Sequence, residues 1–189
     1  MGKATVSGRS KTNTFVYMRI GAKHMLEQAL RSDEGQLYNI ISCLTYSAFT
    51  LEAYFNHLGK MRNPNWDKIE RKYPKLKKYK LFCHECNVSF DFEKPPYSTM
   101  IELFSFRDCM AHGKSTVDYV AKEIDFNSEL PNQFSTGPSW REYATIANAE
   151  KGVRDVDAII FELHTAAGYT DNLFNNPGGG VYGVQRHET

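Results

Sequence analysis

No apolar run in the chain reaches 18 residues, which excludes a membrane-spanning helix by length and hydropathy. No apolar stretch near Met1 is long enough for a secretory signal, and the Met1-Gly2 start has Val6 where myristoylation expects a hydroxyl. Charge of one sign is missing too. Lys and Arg total 23 against 22 Asp and Glu, a formal net charge of +1, so attraction to nucleic acid must come from a local patch and not the overall field. Cysteine is sparse: Cys43, Cys83, Cys86 and Cys109 are scattered through segments that read as helices, unlike a secreted disulfide scaffold. The expectation is a soluble cytoplasmic protein with no membrane partner.

What is present is helical periodicity, in an amount suited to one domain. A first helix is predicted over roughly 13–32, with Phe15, Met18, Ala22, Met25 and Ala29 stepping by three and four and Leu26 and Leu30 widening the stripe. A second, over roughly 34–60, carries Leu37, Ile41, Leu44, Ala48, Leu51, Phe55 and Leu58 in an unbroken seam that must pack along its whole length. Asn63-Pro64-Asn65 stops it, just past Gly59. Residues 66–88 form a lysine-rich helical stretch interrupted at Pro74, and a fourth helix runs from about 96 to 112. Gly113 is placed to close that helix in the left-handed conformation. Residues 115–138 are poorly patterned, with an extended stretch expected over 117–126. Ser139-Trp140-Arg141-Glu142 has the form of a capping box opening a fifth helix that bends near Gly152 and continues to Ala167. Residues 1–12 are small, polar and basic, Asn, Gly and Pro dominate 170–189, and the two read as a flexible lead-in and tail around one domain, 13–169. With no internal repeat, the predicted fold is all-α, an antiparallel helical bundle.

The fourth helix carries the chemistry. Arg107 lies on the line Met100, Leu103, Arg107, Met110, and Asp108 on the line Tyr97, Ile101, Phe104, Asp108, Ala111, both otherwise apolar. Charges at such positions are costly unless they are paired or line a cleft. Asp108 and His112 are four apart and can meet, so the carboxylate can orient the imidazole, and Lys114 adds a cation next door. Arg107 and His112 are five apart, which puts them about 140° from each other on an ideal helix. Two routes to a shared site stay open: a histidine past the last regular turn, or a second subunit. From residue types alone, a structural salt bridge and a helix-ending histidine explain the pattern as well.

The stretch Leu103-Phe104-Ser105-Phe106-Arg107-Asp108-Cys109-Met110-Ala111-His112-Gly113-Lys114 resembles the R-x4-6-H motif of HEPN domains, in which a polar residue typically follows the arginine. Residues 44–56 look like the long helix that precedes the motif helix in such bundles. The resemblance implies Arg107 and His112 as a catalytic pair assembled across a homodimer, with Asp108 where family members often carry Asn. It implies a metal-independent endoribonuclease of host defence or a toxin–antitoxin system, with RNA as substrate, an antitoxin as possible partner and no cofactor. The expected products end in a 2′,3′-cyclic phosphate and a 5′-hydroxyl. The competing expectations are a non-catalytic HEPN-like module for nucleotide or RNA binding or dimerisation, and a generic helical interaction protein.

Between positions 67 and 80 seven cations face two carboxylates, Asp67 and Glu70. Lys72, Lys75, Lys77, Lys78 and Lys80 are candidate RNA-binding residues, with Tyr73, Tyr79 and Trp66 as stacking platforms. The competing reading is a solvated helix face with its aromatics turned to the core. Cys83-His84-Glu85-Cys86 has no second ligand pair and no β-α-β setting, so it reads as small cysteines on a helix and no metal site is expected. His24, His57, His164 and His187 show no supporting constellation. Glu52 and Asn56 flank the seam, either as partners for Arg107 from the facing helix or as polar positions at its edge.

Overall fold

The computed structural model describes residues 3–115, 117 and 138–187. The described chain is mostly helical, with β1 (Ala4–Thr12), α1 (Thr14–Arg31), α2 (Gln36–Arg62), α3 (Trp66–Ile69), α4 (Lys75–Cys86), α5 (Tyr97–His112), α6 (Ser139–Tyr143), α7 (Ile146–Ala166) and β2 (Gly178–Arg186). No helix of it is long and apolar enough to cross a membrane. The extended stretch expected over 117–126 lies, apart from Val117, outside the described residues.

Helix α2 is the centre of the core, as its seam predicts. Leu44, Ala48, Leu51, Phe55 and Leu58 are fully buried, and so is a second row made of Ile40, Cys43, Ser47, Thr50 and Tyr54. Two buried rows require cover on more than one side, and α1, α5 and α7 provide it. Each large apolar side chain so enclosed contributes about 1.5–3 kcal/mol relative to exposure. Thr50 keeps its hydroxyl satisfied by donating to the Tyr46 carbonyl one turn back at 2.7 Å. Near the end of α2 the indole of Trp66 lies on Gly59, where an added Cβ would stand 2.2 Å from the ring. This close approach folds the lysine-rich segment back against α2.

Helix α1 buries Phe15, Ala22 and Ala29 as expected, but Val16 joins them and Leu30 is exposed. The stripe is turned toward Val16 because α1 also meets α7, where Arg19 grips Asp157 with both arms at 2.6 and 2.8 Å and lies over the Phe174 ring.

Three local expectations are corrected. The fifth helix is broken: Pro138, not Ser139, precedes the first turn, and α6 ends at Tyr143. A new helix starts after Thr145, whose hydroxyl caps it by accepting from the Asn148 N–H at 3.2 Å. Helix α7 then passes through Gly152 without a break, where a side chain would press on Leu103 of α5. Gly113 does end α5, but with φ −56° and ψ 133°, not in the left-handed region. The chain leaves in an extended direction, and an added Cβ would lie 2.7 Å from the Cys109 carbonyl oxygen.

The third correction concerns the two ends. The segments read as a flexible lead-in and tail pair with each other as an antiparallel ribbon, Ala4 opposite Arg186 through Thr12 opposite Gly178. Asn13 anchors its base, its N–H bonding the Pro177 carbonyl and its side-chain amide the Asn176 carbonyl. The strands are exposed along their length, so no alternation of buried residues marks them in the sequence.

A candidate phosphate-binding cleft at Arg107

Three helices bring the site together. Phe49, Glu52, Phe55 and Asn56 come from the edge of α2, Lys75 and Lys78 from α4, and Arg107 and Asp108 from the last two turns of α5. Glu52, Phe55, Asn56, Pro74, Lys75, Lys78 and Arg107 line a cleft of about 280 Å³.

Arg107 has the partners that its place on an apolar line demands. One terminal nitrogen donates to Glu52 Oε2 at 2.7 Å and the other to Asp108 Oδ1 at 2.8 Å. The guanidinium carbon lies 5.3 Å from the centroid of the Phe49 ring, within cation–π range. Among the described residues its buried Nε has no hydrogen-bond partner, and neither has Oε1 of Glu52. The Arg107 side chain is 20% exposed, so the group is shielded yet open to the cleft.

Lys75 donates to Asp108 and lies 3.8 Å from Glu52, so two cations and two carboxylates interlock. Lys78 donates to Asn56 Oδ1 and is 3.9 Å from Glu70. Partial burial works against charge on Asp108, but the bonds from Lys75 and then Arg107 prevail and hold its carboxyl below the ordinary range. The expected partnership of Asp108 with His112 is therefore corrected. Among the described residues the carboxylate is engaged by Lys75 and Arg107 and forms no hydrogen bond to the histidine. Two cations outcompete an imidazole for one carboxylate.

His112 occupies the last helical position of α5 and is exposed, and Lys114 is exposed beyond it. The helix stays regular through His112, so the route of a histidine past the last turn is closed. Five positions apart on a regular helix, Arg107 and His112 point about 140° from each other. Cys109, one turn before His112, lines a separate groove of about 410 Å³ with Ile101, Ser105, Trp140 and Tyr143.

The lysine run divides. Lys75 and Lys78 turn into the cleft, whereas Lys72, Lys77 and Lys80 are exposed, Lys80 lying 5.3 Å from the Phe92 ring centroid. The aromatics are not available for stacking bases. Tyr73 stacks on Trp66 with ring centroids 6.0 Å apart, and Trp66 and Tyr79 are buried. Cys83 is buried and Cys86 half-buried. Among the described residues no group of three His, Cys, Asp or Glu side chains is placed to hold a metal.

Spacing gave no sign of two histidines that the fold engages. His164 is buried between Tyr54 and Asp171, its Nε2 2.9 Å from Asp171 Oδ1 and its Nδ1 3.3 Å from the Tyr54 hydroxyl. Their separation in sequence hides this group. His57, against Phe15, is held neutral: burial first, then the charge of Lys11 and His164, lower its pKa to about 4 against the pull of Asp171.

Comparison of the whole chain with protein-family models, curated proteins and solved structures gives no significant match.

Proposed function

We propose that the chain is a HEPN-like antiparallel helical bundle that cleaves RNA without a metal, in host defence or as the toxin of a toxin–antitoxin pair. The observation that carries this reading is the cleft in which Arg107 meets Lys75 and Lys78 within two turns of an exposed histidine at the helix end. RNA brings its own nucleophile, the ribose 2′-hydroxyl. His112 takes that proton or returns one to the leaving 5′-oxygen. Arg107, always charged and fork-shaped, holds the scissile phosphate and stabilises the charge that builds on its oxygens. The 2′-oxygen forms a bond to phosphorus as the bond to the 5′-oxygen breaks, giving a 2′,3′-cyclic phosphate and a 5′-hydroxyl. DNA lacks the nucleophile and is left intact.

The angle between Arg107 and His112 makes a second copy part of the proposal. In a twofold homodimer joined along α5, the arginine of one subunit faces the histidine of the other across a shared cleft. The test is incubation of the purified protein with end-labelled RNA in chelator, beside Arg107→Ala and His112→Ala. Cleavage lost in both variants, with the helical circular-dichroism signal retained, is the expected outcome. Undiminished cleavage in both removes the assignment.

One observation favours a second reading. Both terminal nitrogens of Arg107 are already bonded to carboxylates, an arrangement that also suits a binding module in which phosphate exchanges with Glu52 or Asp108 and no bond is broken. Binding with no turnover in the same assay selects it.

A further inference from the structure

The β1–β2 ribbon contributes almost nothing to the core. Every residue of β1 and all of β2 except the half-buried Gly178 are exposed, Val6, Val181, Tyr182 and Val184 among them at 62–73%. Two nine-residue strands at about 3.3 Å per residue make an arm roughly 30 Å long. A two-stranded ribbon of this kind is only marginally stable unaided, so its composition is not explained by folding.

That composition is one-sided. Residues 3–12 and 178–187 hold Lys3, Arg9, Lys11 and Arg186 and none of the 22 carboxylates of the chain, the nearest in sequence being Glu188. None of the four cations is in an ion pair among the described residues. Lysines such as Lys3 and Lys11 also serve to keep a sheet edge from pairing, but the two arginines are not needed for that. A uniform positive sign, with two arginines, fits a polyanion.

The register sorts the side chains. Side chains directly opposite each other share a face, so Thr5, Ser7, Arg9 and Lys11 lie with Gln185, Gly183, Val181 and Gly179. Lys3 and His187 extend this face, the Lys3 carbonyl accepting from the His187 N–H and the imidazole bonding the Thr5 hydroxyl. It is a row of cations and hydroxyls beside a strand that shows Gln185 and Val181 alternating with glycines on this face. On the other face, which carries Arg186, the Tyr182 ring lies over Gly8 and Gly180 and is 62% exposed.

The ribbon also leads toward the cleft. Lys11 and Thr12 at its base line a groove of about 730 Å³ with Asn56, His57, Lys60 and Glu70. Asn56 lines the Arg107 cleft as well and there accepts from Lys78. Groove and cleft therefore meet at one side chain.

We propose that the ribbon is a nucleic-acid-binding arm that holds the backbone of single-stranded RNA and leads it past Lys11 and Asn56 to Arg107. A single strand fits better than a duplex: the deep, narrow major groove of A-form RNA does not admit a ribbon, whereas an open tyrosine face stacks an unpaired base. The choice of RNA over DNA, and the destination, rest on the ribonuclease reading. The arm itself rests on its own charge and exposure.

The test uses the full chain carrying His112→Ala, so that substrate is not consumed, and a fluorescein-labelled single-stranded RNA of about 20 nucleotides across a KCl series. Lys3→Gln, Arg9→Gln, Lys11→Gln and Arg186→Gln combined weaken binding at least tenfold. The plot of log affinity against log salt becomes shallower by about 2–3, at roughly 0.7 for each phosphate that is no longer neutralised. Tyr182→Ala weakens binding several-fold with the slope retained. Unchanged affinity and slope in the fourfold variant overturn the proposal. So does an effect confined to the oligomeric state by light scattering, which assigns the ribbon to a protein partner. The mutated residues are exposed, so the helical circular-dichroism signal is retained. If wild-type protein binds through the ribbon but cuts nothing, only the ribonuclease reading falls.

Discussion

Arg107 of α5 donates to Glu52 of α2 at 2.7 Å across 55 positions of sequence, and this bond fixes where the guanidinium points. Without it, among the described residues, the arginine keeps a hydrogen bond to its neighbour Asp108, which Lys75 also holds, and the face of Phe49. Glu52 thus positions Arg107 and competes with any phosphate for it. Glu52→Gln removes one negative charge from the cleft while keeping its shape. RNA binding at low salt should tighten several-fold, and the unfolding free energy should fall by about 1–2 kcal/mol, because the pair is mostly shielded yet not fully buried. Fluorescence anisotropy and urea denaturation check the two effects. Weaker binding would show that Glu52 orients the arginine more than it competes.

Lys75 and Lys78 separate the two readings of the lysine run. If only the inward pair serves the cleft, Lys75→Ala with Lys78→Ala lowers RNA affinity at least tenfold. Lys72→Ala, Lys77→Ala and Lys80→Ala combined then change it by less than threefold. Equal losses in a salt-dependent binding assay would make the whole helix face a phosphate track.

Gly59 is required by the indole of Trp66. An added methyl would stand within 2.2–2.7 Å of three ring atoms, and the ring is held by Tyr73 and Phe82. Gly59→Ala gains helix propensity but forces the indole off α2, with a net loss of about 1–3 kcal/mol in urea denaturation. Gly35, at the start of α2, has a φ of 70° with open space around it. Its substitution acts through backbone strain alone.

His57 gives the fold an acid-sensitive component with a definite sign. Its native pKa is lowered to about 4 by burial, then by Lys11 and His164, from an ordinary value of 6.5. The unfolded chain therefore takes up this proton first as pH falls, and stability drops between about 6.5 and 4. Asp108 acts in the same direction lower down, its depressed carboxyl giving up its contribution as pH falls through the native value. His57→Phe should flatten the upper part of that decline in urea midpoints taken from pH 7 to 4. An unchanged profile would place the sensitivity elsewhere.

The sequence reveals the helices best where burial is periodic. The α2 seam and the Arg107 line are legible because apolar side chains recur every three or four residues there, and a charge among them needs a partner. Glu52 is visible as a possible partner for the same reason. The partner of Asp108 is not, because helix spacing points to His112 four residues on, whereas Lys75 arrives from another helix. The ribbon is invisible: glycine, serine and threonine with scattered valines show no buried alternation, and each strand finds its partner at the far end of the chain. The break at Ala144-Thr145 lies inside an otherwise helical pattern, where Thr145 reads as one more polar residue until its hydroxyl is seen to cap α7.

Mixing two inactive variants tests the composite site most directly. Arg107→Ala and His112→Ala are each purified, then unfolded and refolded together so that mixed dimers form. If Arg107 of one subunit works with His112 of the other, every mixed dimer regains one intact site. RNA cleavage in chelator should then appear in the mixture while both parents stay inactive. A refolded mixture as inactive as its parents, beside refolded wild type that cleaves, contradicts the shared site.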